Sequence, residues 1–256
     1  MSHLCIDLGN TCLVYALING EEISAKGSRL SEKIKSPEAL RDFLTEISLL
    51  SSVEKIGISS VVPNLNLLLT QVCEEIFNIS PIFLDCRTFK DFEVCTEIPE
   101  QVGTDMIAAA YAATKYYPDK DIIMIDMGTA TTLSAISKDK KYLATVILPG
   151  LELSKKALFL HTAQLPEIDL MKPKCAAGRD TENSILAGLY YGQVGALKEL
   201  SQRLITELFP GEPPHLIGTG GSLTLFADEN IVEKMYPDLV IEGINCMLLN
   251  SEEQSP

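Results

Sequence analysis

Leu4-Cys5-Ile6-Asp7-Leu8-Gly9-Asn10-Thr11 opens the chain, and Ile122-Ile123-Met124-Ile125-Asp126-Met127-Gly128-Thr129-Ala130-Thr131 returns to the same pattern near its middle. Each is an apolar run of strand length that ends in Asp-x-Gly and passes through a hydroxyl-bearing turn into a second apolar run. Outward from the first copy, residues 4–8, 12–18 and 22–25 read as strands, the last two joined by the Asn19-Gly20 turn signal. Leu40, Phe43, Leu44 and Ile47 then follow helical spacing after Ser36-Pro37, a cap residue and a first-turn proline. A strand at 56–61, a helix at 63–77 and a strand at 82–84 complete a βββαβαβ order, and an Ala-rich helix over 105–117 stops at Pro118. Outward from the second copy, strands at 122–126, 131–137 and 142–148 precede helices at 151–164 and 181–208, a strand at 214–218 and a short helix after Gly221. The polar end, residues 251–256, is expected to fray. One Asp-x-Gly turn is commonplace. Two at the same position in two βββα units predict duplicated α/β domains, 1–118 and 119–256, facing a shared interdomain cleft.

The 256 residues suffice for two such domains, and 46% hydrophobic against 22% charged residues is the balance of a folded chain. A net charge of −14 repels polyanions, and no cluster of Lys and Arg could neutralise several phosphates together, so nucleic acid is not an expected partner. A nucleotide is still admissible, because a few backbone amides, one cation and a metal can hold a triphosphate in an unfavourable mean field. No apolar stretch reaches the roughly 20 residues of a membrane helix, and Asp7 interrupts the first one, against a signal peptide. A cytoplasmic protein without a membrane partner is expected. Seven cysteines, an odd number with no CxxC pair, argue for reduced thiols rather than zinc or disulfides.

The chemistry concentrates at glycine and carboxylate positions. A hairpin turn after a buried strand would aim the amides of Gly9, Asn10 and Thr11 at a phosphate, with Asp7 placed to hold Mg²⁺ through water. Gly218-Thr219-Gly220-Gly221, between a strand and a helix, suits close approach of an adenosine moiety, and Pro149-Gly150 is a further glycine site. Gly103-Thr104-Asp105 stands at the start of the Ala-rich helix, where Thr or Asp could simply cap free amides. Asp105 is also suited to accept a proton from a substrate hydroxyl, since phosphoryl transfer requires positioning and a carboxylate near the nucleophile. His3, His161 and His215 form no nucleophile-base or metal pattern.

Taken in order, Asp7-Leu8-Gly9-Asn10-Thr11, Gly103-Thr104-Asp105, Asp126-Met127-Gly128-Thr129-Ala130, Pro149-Gly150, Gly178-Arg179-Asp180-Thr181 and Thr219-Gly220-Gly221 resemble the motif series of the type III pantothenate kinases. The resemblance implies an actin-like (ribonuclease H-like) fold and a homodimer that phosphorylates pantothenate with ATP and Mg²⁺, the first step towards coenzyme A. It implies ATP contacts from Asp7, Leu8, Gly9, Asn10, Thr11, Cys12, Leu13 and Val14, and from Thr129, beside the Gly220 site. It places the base at Asp105, the pantothenate contacts at Gly103, Thr104, Asp105, Met106 and Thr181, and a monovalent cation, K⁺ or NH₄⁺, at Asp126. Two positions depart from the family pattern, Met106 for an Arg and Thr96 for a Tyr, both on the substrate side. Losing a hydrogen bond to a charged group, about 1.5 to 3 kcal/mol, would weaken carboxylate binding by roughly ten- to a hundredfold. Two alternatives follow: a kinase of the same fold acting on another small hydroxylated substrate, and an ATP-binding regulatory relative with little turnover.

Overall fold

The computed structural model describes residues 2–252, and the chain divides into two compact units. The first runs through Tyr116 and resumes at Asp238, and the second is Tyr117–Pro237. In the first unit β1 (Ser2–Leu8), β2 (Cys12–Asn19) and β3 (Glu22–Leu30) form the antiparallel meander read from the sequence. Then come α1 (Pro37–Ser48), β4 (Lys55–Ser60), α2 (Pro63–Phe77), β5 (Ile82–Phe83), β6 (Glu93–Val94) and α3 (Thr104–Tyr116). The strand order is β3-β2-β1-β4-β5, with β4 and β5 parallel to β1. Ser36 caps α1 as its sequence predicts, accepting from the Ala39 amide at 3.2 Å, with Pro37 in the first turn.

The second unit repeats this plan. Its elements are β7 (Ile122–Met127), β8 (Ala130–Ile136), β9 (Lys141–Pro149), α4 (Leu151–Leu160), α5 (Thr181–Leu208), β10 (His215–Thr219) and β11 (Lys234–Met235), with a 3-10 segment at Gly221–Glu229. Among the unit's own strands the order β9-β8-β7-β10-β11 and the senses of pairing match the first unit strand for strand.

Strand periodicity sorts the side chains. Leu4, Ile6 and Leu8 of β1 and Ile56 and Ile58 of β4 pack with Leu40, Phe43 and Leu44 of α1 and Leu65, Leu69 and Val72 of α2. The alternate residues, Cys5, Asp7, Gly57 and Ser59, therefore point to the opposite face. In the second unit Ile123, Ile125, Met127, Leu133 and Ala135 pack with Tyr190, Val194 and Leu197 of α5, which sends Asp126 to the face away from that core.

The division differs from the expected 1–118 and 119–256. A last helix, α6 (Leu239–Glu252), lies with the first unit, on β1, β4 and α3, and no such helix was expected. Gly57 faces Ile244, Met247 and Leu248, and a Cβ on Gly243 would run into the backbone of Ala108. The Ala-rich face of α3 and the glycine of α6 let the two helices approach this closely. Of the polar end expected to fray, Ser251 and Glu252 belong to α6, and the rest lies outside the described residues.

Candidate active site

Asp7 stands one residue before the end of β1, half-buried, with Val14 and Ser59 as its strand partners. Beyond it the Gly9 amide donates to Cys12 O at 2.9 Å, and the Ser31 hydroxyl donates to Gly9 O at 2.6 Å. The expectation that Gly9 offers its amide to a phosphate is thereby corrected, because that donor closes the hairpin. Asn10 and Thr11 are the exposed residues of this turn. Leu8 and Leu13 are core side chains, so any contact they make with a nucleotide is through backbone. Cys12 and Val14 are half-buried. The register makes this turn one residue longer than its counterpart: Leu8 pairs with Leu13, whereas Met127 pairs with Thr131.

The start of α3 is bound to the end of β4. Thr104 Oγ1 accepts from the Ser60 amide at 3.0 Å, donates to Ser60 O at 3.2 Å, and lies 3.0 Å from Ser59 Oγ. Ser60 Oγ in turn donates to Asn66 Oδ1 at 2.6 Å. Because Ser59 is the register partner of Asp7, this network sets Asp7 and the first turn of α3 on the same side of the sheet. Sequence reading missed Ser59, Ser60 and Asn66. Their only signal was two hydroxyl residues at the end of a strand beside an Asp-tipped one.

Asp105 does not simply cap its helix. Its Oδ1 accepts the Met106 amide at 2.8 Å, and a Cβ on Gly103 would strike the carboxylate, so glycine there leaves room for the carboxylate to fold back. Burial raises the Asp105 pKa above the ordinary carboxylate value, while the Met106 amide and its own backbone amide pull the other way. The result is a half-buried carboxylate at a positive helix end with heightened proton affinity, which is what a general base for a hydroxyl needs.

In the second unit, Thr219 of β10 pairs with Asp126, and Gly220 follows with φ at +90°. A Cβ on Gly220 would collide with the Asp126 carboxylate and the Met127 backbone, so only glycine fits against this turn. Gly150 is equally confined, its amide donating to Thr129 O at 3.1 Å. Thr129 itself is exposed at the turn. Thr181 is the first residue of α5, which Asp180 caps by accepting from the Asn183 amide at 2.9 Å. That hydrogen bond, with a second from the Asn183 side chain, lowers the Asp180 pKa. Thr181, Gly178, Ser184, Ile185 and Leu165 line a groove of about 680 Å³. None of the seven cysteines is in a disulfide, and burial pushes the Cys73 thiol up to about 12.

Among the described residues no group of three or more His, Cys, Asp or Glu side chains could hold a metal ion, and no helix is long and apolar enough to cross a membrane. Single carboxylates at Asp7 and Asp126 fit ions held largely by phosphate, water or neutral oxygens.

A sheet ordered 3-2-1-4-5, built twice, with an Asp-x-Gly turn ending each first strand, defines the class: an actin-like α/β fold. Solved structures share it. A Baf family protein from Campylobacter jejuni superposes with a TM-score of 0.62 at 19% identity, covering 98% of this chain and 99% of the other. MreB 5 of Spiroplasma citri bound to AMPPNP gives 0.55 at 13% identity, covering 98% and 97%. Residues 3–203 match the Pan_kinase profile, type III pantothenate kinase. The type III pantothenate kinase of Legionella pneumophila (strain Corby) is 39% identical over 246 residues, 94% of this chain and 96% of that one. Type III pantothenate kinase 1 of Francisella tularensis subsp. tularensis (strain FSC 198) is 38% identical over 257 residues, 98% of each. The chain belongs to the type III pantothenate kinase family, a family of phosphotransferases.

Proposed function

We propose that this protein transfers the γ-phosphoryl group of ATP to the hydroxyl of pantothenate, the first step of coenzyme A synthesis. The observation that carries the reading is Asp105, a half-buried carboxylate of raised proton affinity at a helix N-terminus, in a member of this family. Asp105 takes the proton of the pantothenate hydroxyl as its oxygen bonds to the γ-phosphorus. The bond to the β–γ bridging oxygen breaks, ADP departs, and the proton later leaves Asp105 for solvent. The backbone from Asp7 to Val14, with Asn10 and Thr11 outermost, holds ATP in the first unit, and Thr129 and Gly220 contribute in the second. Gly103 to Met106 and Thr181 receive pantothenate. Asp7 would hold Mg²⁺ through water, and the ion would offset charge on the phosphates. Asp126 would hold K⁺ or NH₄⁺, its carboxylate cradled by Gly220.

The remaining readings are a homodimer in the cytoplasm with no nucleic-acid or membrane partner. Support comes from the charge of −14 and from large apolar side chains left exposed in the second unit, Ile147 and Leu160 at 63% and 69%. The test is coupled ADP release with ATP and Mg²⁺, with and without pantothenate, in potassium, ammonium or sodium at constant ionic strength. Pantothenate-dependent ADP that rises with potassium or ammonium and not with sodium is expected. ATP binding with no response to pantothenate would overturn the substrate assignment, and equal rates in all three salts would remove the cation from Asp126.

A further inference from the structure

Thr132 is a buried polar group that its own unit leaves unsatisfied. It lies on β8 directly opposite Asp126 of β7, and Thr219 of β10 lies opposite Asp126 from the other side. Facing residues of the antiparallel β7–β8 pair project from one face with Cβ atoms about 4.5–5.5 Å apart, and Thr219 projects from the same face of the parallel neighbour, so three strands set hydroxyl, carboxylate and hydroxyl in a row. This is the face turned away from Ile123, Ile125 and Leu133 and their packing on α5. Thr132 is 8% exposed, and its Oγ1 is buried with no hydrogen-bond partner among the described residues. Such a hydroxyl costs stability where the isosteric, β-branched valine would pack in the same strand without that cost. Gly220 adds a second constraint, since its backbone is pressed so close to the Asp126 carboxylate that a Cβ would collide with it.

We propose that Thr132 Oγ1 is a ligand of the monovalent cation held by Asp126, its hydroxyl kept at a cost to the empty fold because the ion uses it. One carboxylate among neutral hydroxyl oxygens carries too little charge to draw a divalent ion from its water, and suits a singly charged ion. The proposal rests on the reading of Asp126 as a cation site, and it makes Thr132 part of what selects the ion. A water bridge between Thr132 and Asp126 is the rival.

The test is thermal unfolding of the purified full chain without substrates, titrated with potassium against sodium at constant ionic strength. Wild type is expected to gain stability with potassium. Thr132→Val should lose that gain or need at least about tenfold more potassium for it, while unfolding at the same or a higher temperature than wild type in sodium alone. Thr132→Ser, which keeps the hydroxyl, should keep the response, and Thr132→Ala replaces the valine variant if that fails to fold. A wild-type potassium response in Thr132→Val or Thr132→Ala, or no potassium response in wild type, would overturn the proposal in favour of a bridging water. Pantothenate-dependent ADP release measured alongside separates the two readings. Turnover without potassium stabilisation sinks the Thr132 assignment alone, whereas a stabilisation that Thr132→Val abolishes, without turnover, sinks the substrate reading and supports the site.

Discussion

Asp105 shows how one carboxylate can be costly and useful for the same reason. Burial raises its folded-state pKa above the unfolded value near 3.9, so the ionised form is the disfavoured one. The group therefore costs nothing below the unfolded pKa, and its cost grows as pH rises until it is complete above the folded pKa. Asp105→Asn keeps an oxygen for the Met106 amide and removes the charge. Turnover should fall by roughly 10² to 10⁴ with ATP affinity changed by no more than a few-fold, while the midpoint of thermal unfolding at pH 7.5 rises above wild type. Below about pH 4 the two midpoints should converge. Unchanged turnover would take the base away from Asp105. The neighbouring Met106 is half-buried, its thioether alongside Gly103, and it offers no donor to a carboxylate beyond its amide, which Asp105 already engages. Met106→Arg should lower the pantothenate KM about tenfold or more and leave the ATP KM in place. A folded variant whose pantothenate KM stays put or rises would point to another small hydroxylated acceptor.

At the scale of elements, the α3–α6 pair sets two effects against each other. Gly243 sits inside α6, where Gly→Ala ordinarily gains up to about 1 kcal/mol of helix propensity. Here the added Cβ would meet the Ala108 carbonyl, a backbone atom that cannot swing aside, and overpacking of this kind costs about 1–3 kcal/mol. The clash should win. Gly243→Ala is expected to lower the unfolding midpoint by several degrees, and Gly243→Val by more, as read by circular dichroism melts. A stabilised alanine variant would mean that the helices do not pack through this position. Most of the other elements were legible because their causes are local: Ser36-Pro37 starts α1, Asn19-Gly20 turns β2 into β3, and unbroken apolar runs mark β1 and β7. The helix α6 was not. Its Leu239, Ile244, Met247 and Leu248 carry a helical spacing after Pro237-Asp238, but the surface that this apolar face covers, on β1, β4 and α3, is distant in the chain.

Across the whole molecule, the chain alone determined the duplication, the parity that turns Asp7 and Asp126 away from the α1/α2 and α5 cores, and the identity of most candidate site residues. Those follow from the pleat of a strand, turn chemistry and motif order, all written in neighbouring residues. Tertiary structure decided the rest. It returned α6 to the first unit, gave the Gly9 amide to Cys12, joined Thr104 to Ser59 and Ser60, pressed Gly220 onto Asp126, and left Thr132 beside Asp126 without a partner. Most of these are approaches between segments far apart in the chain, and local pattern does not encode which distant surface a helix covers or which hydroxyl a strand register strands. The Gly9 bond is local in sequence, but its turn length is set by how β1 and β2 pair.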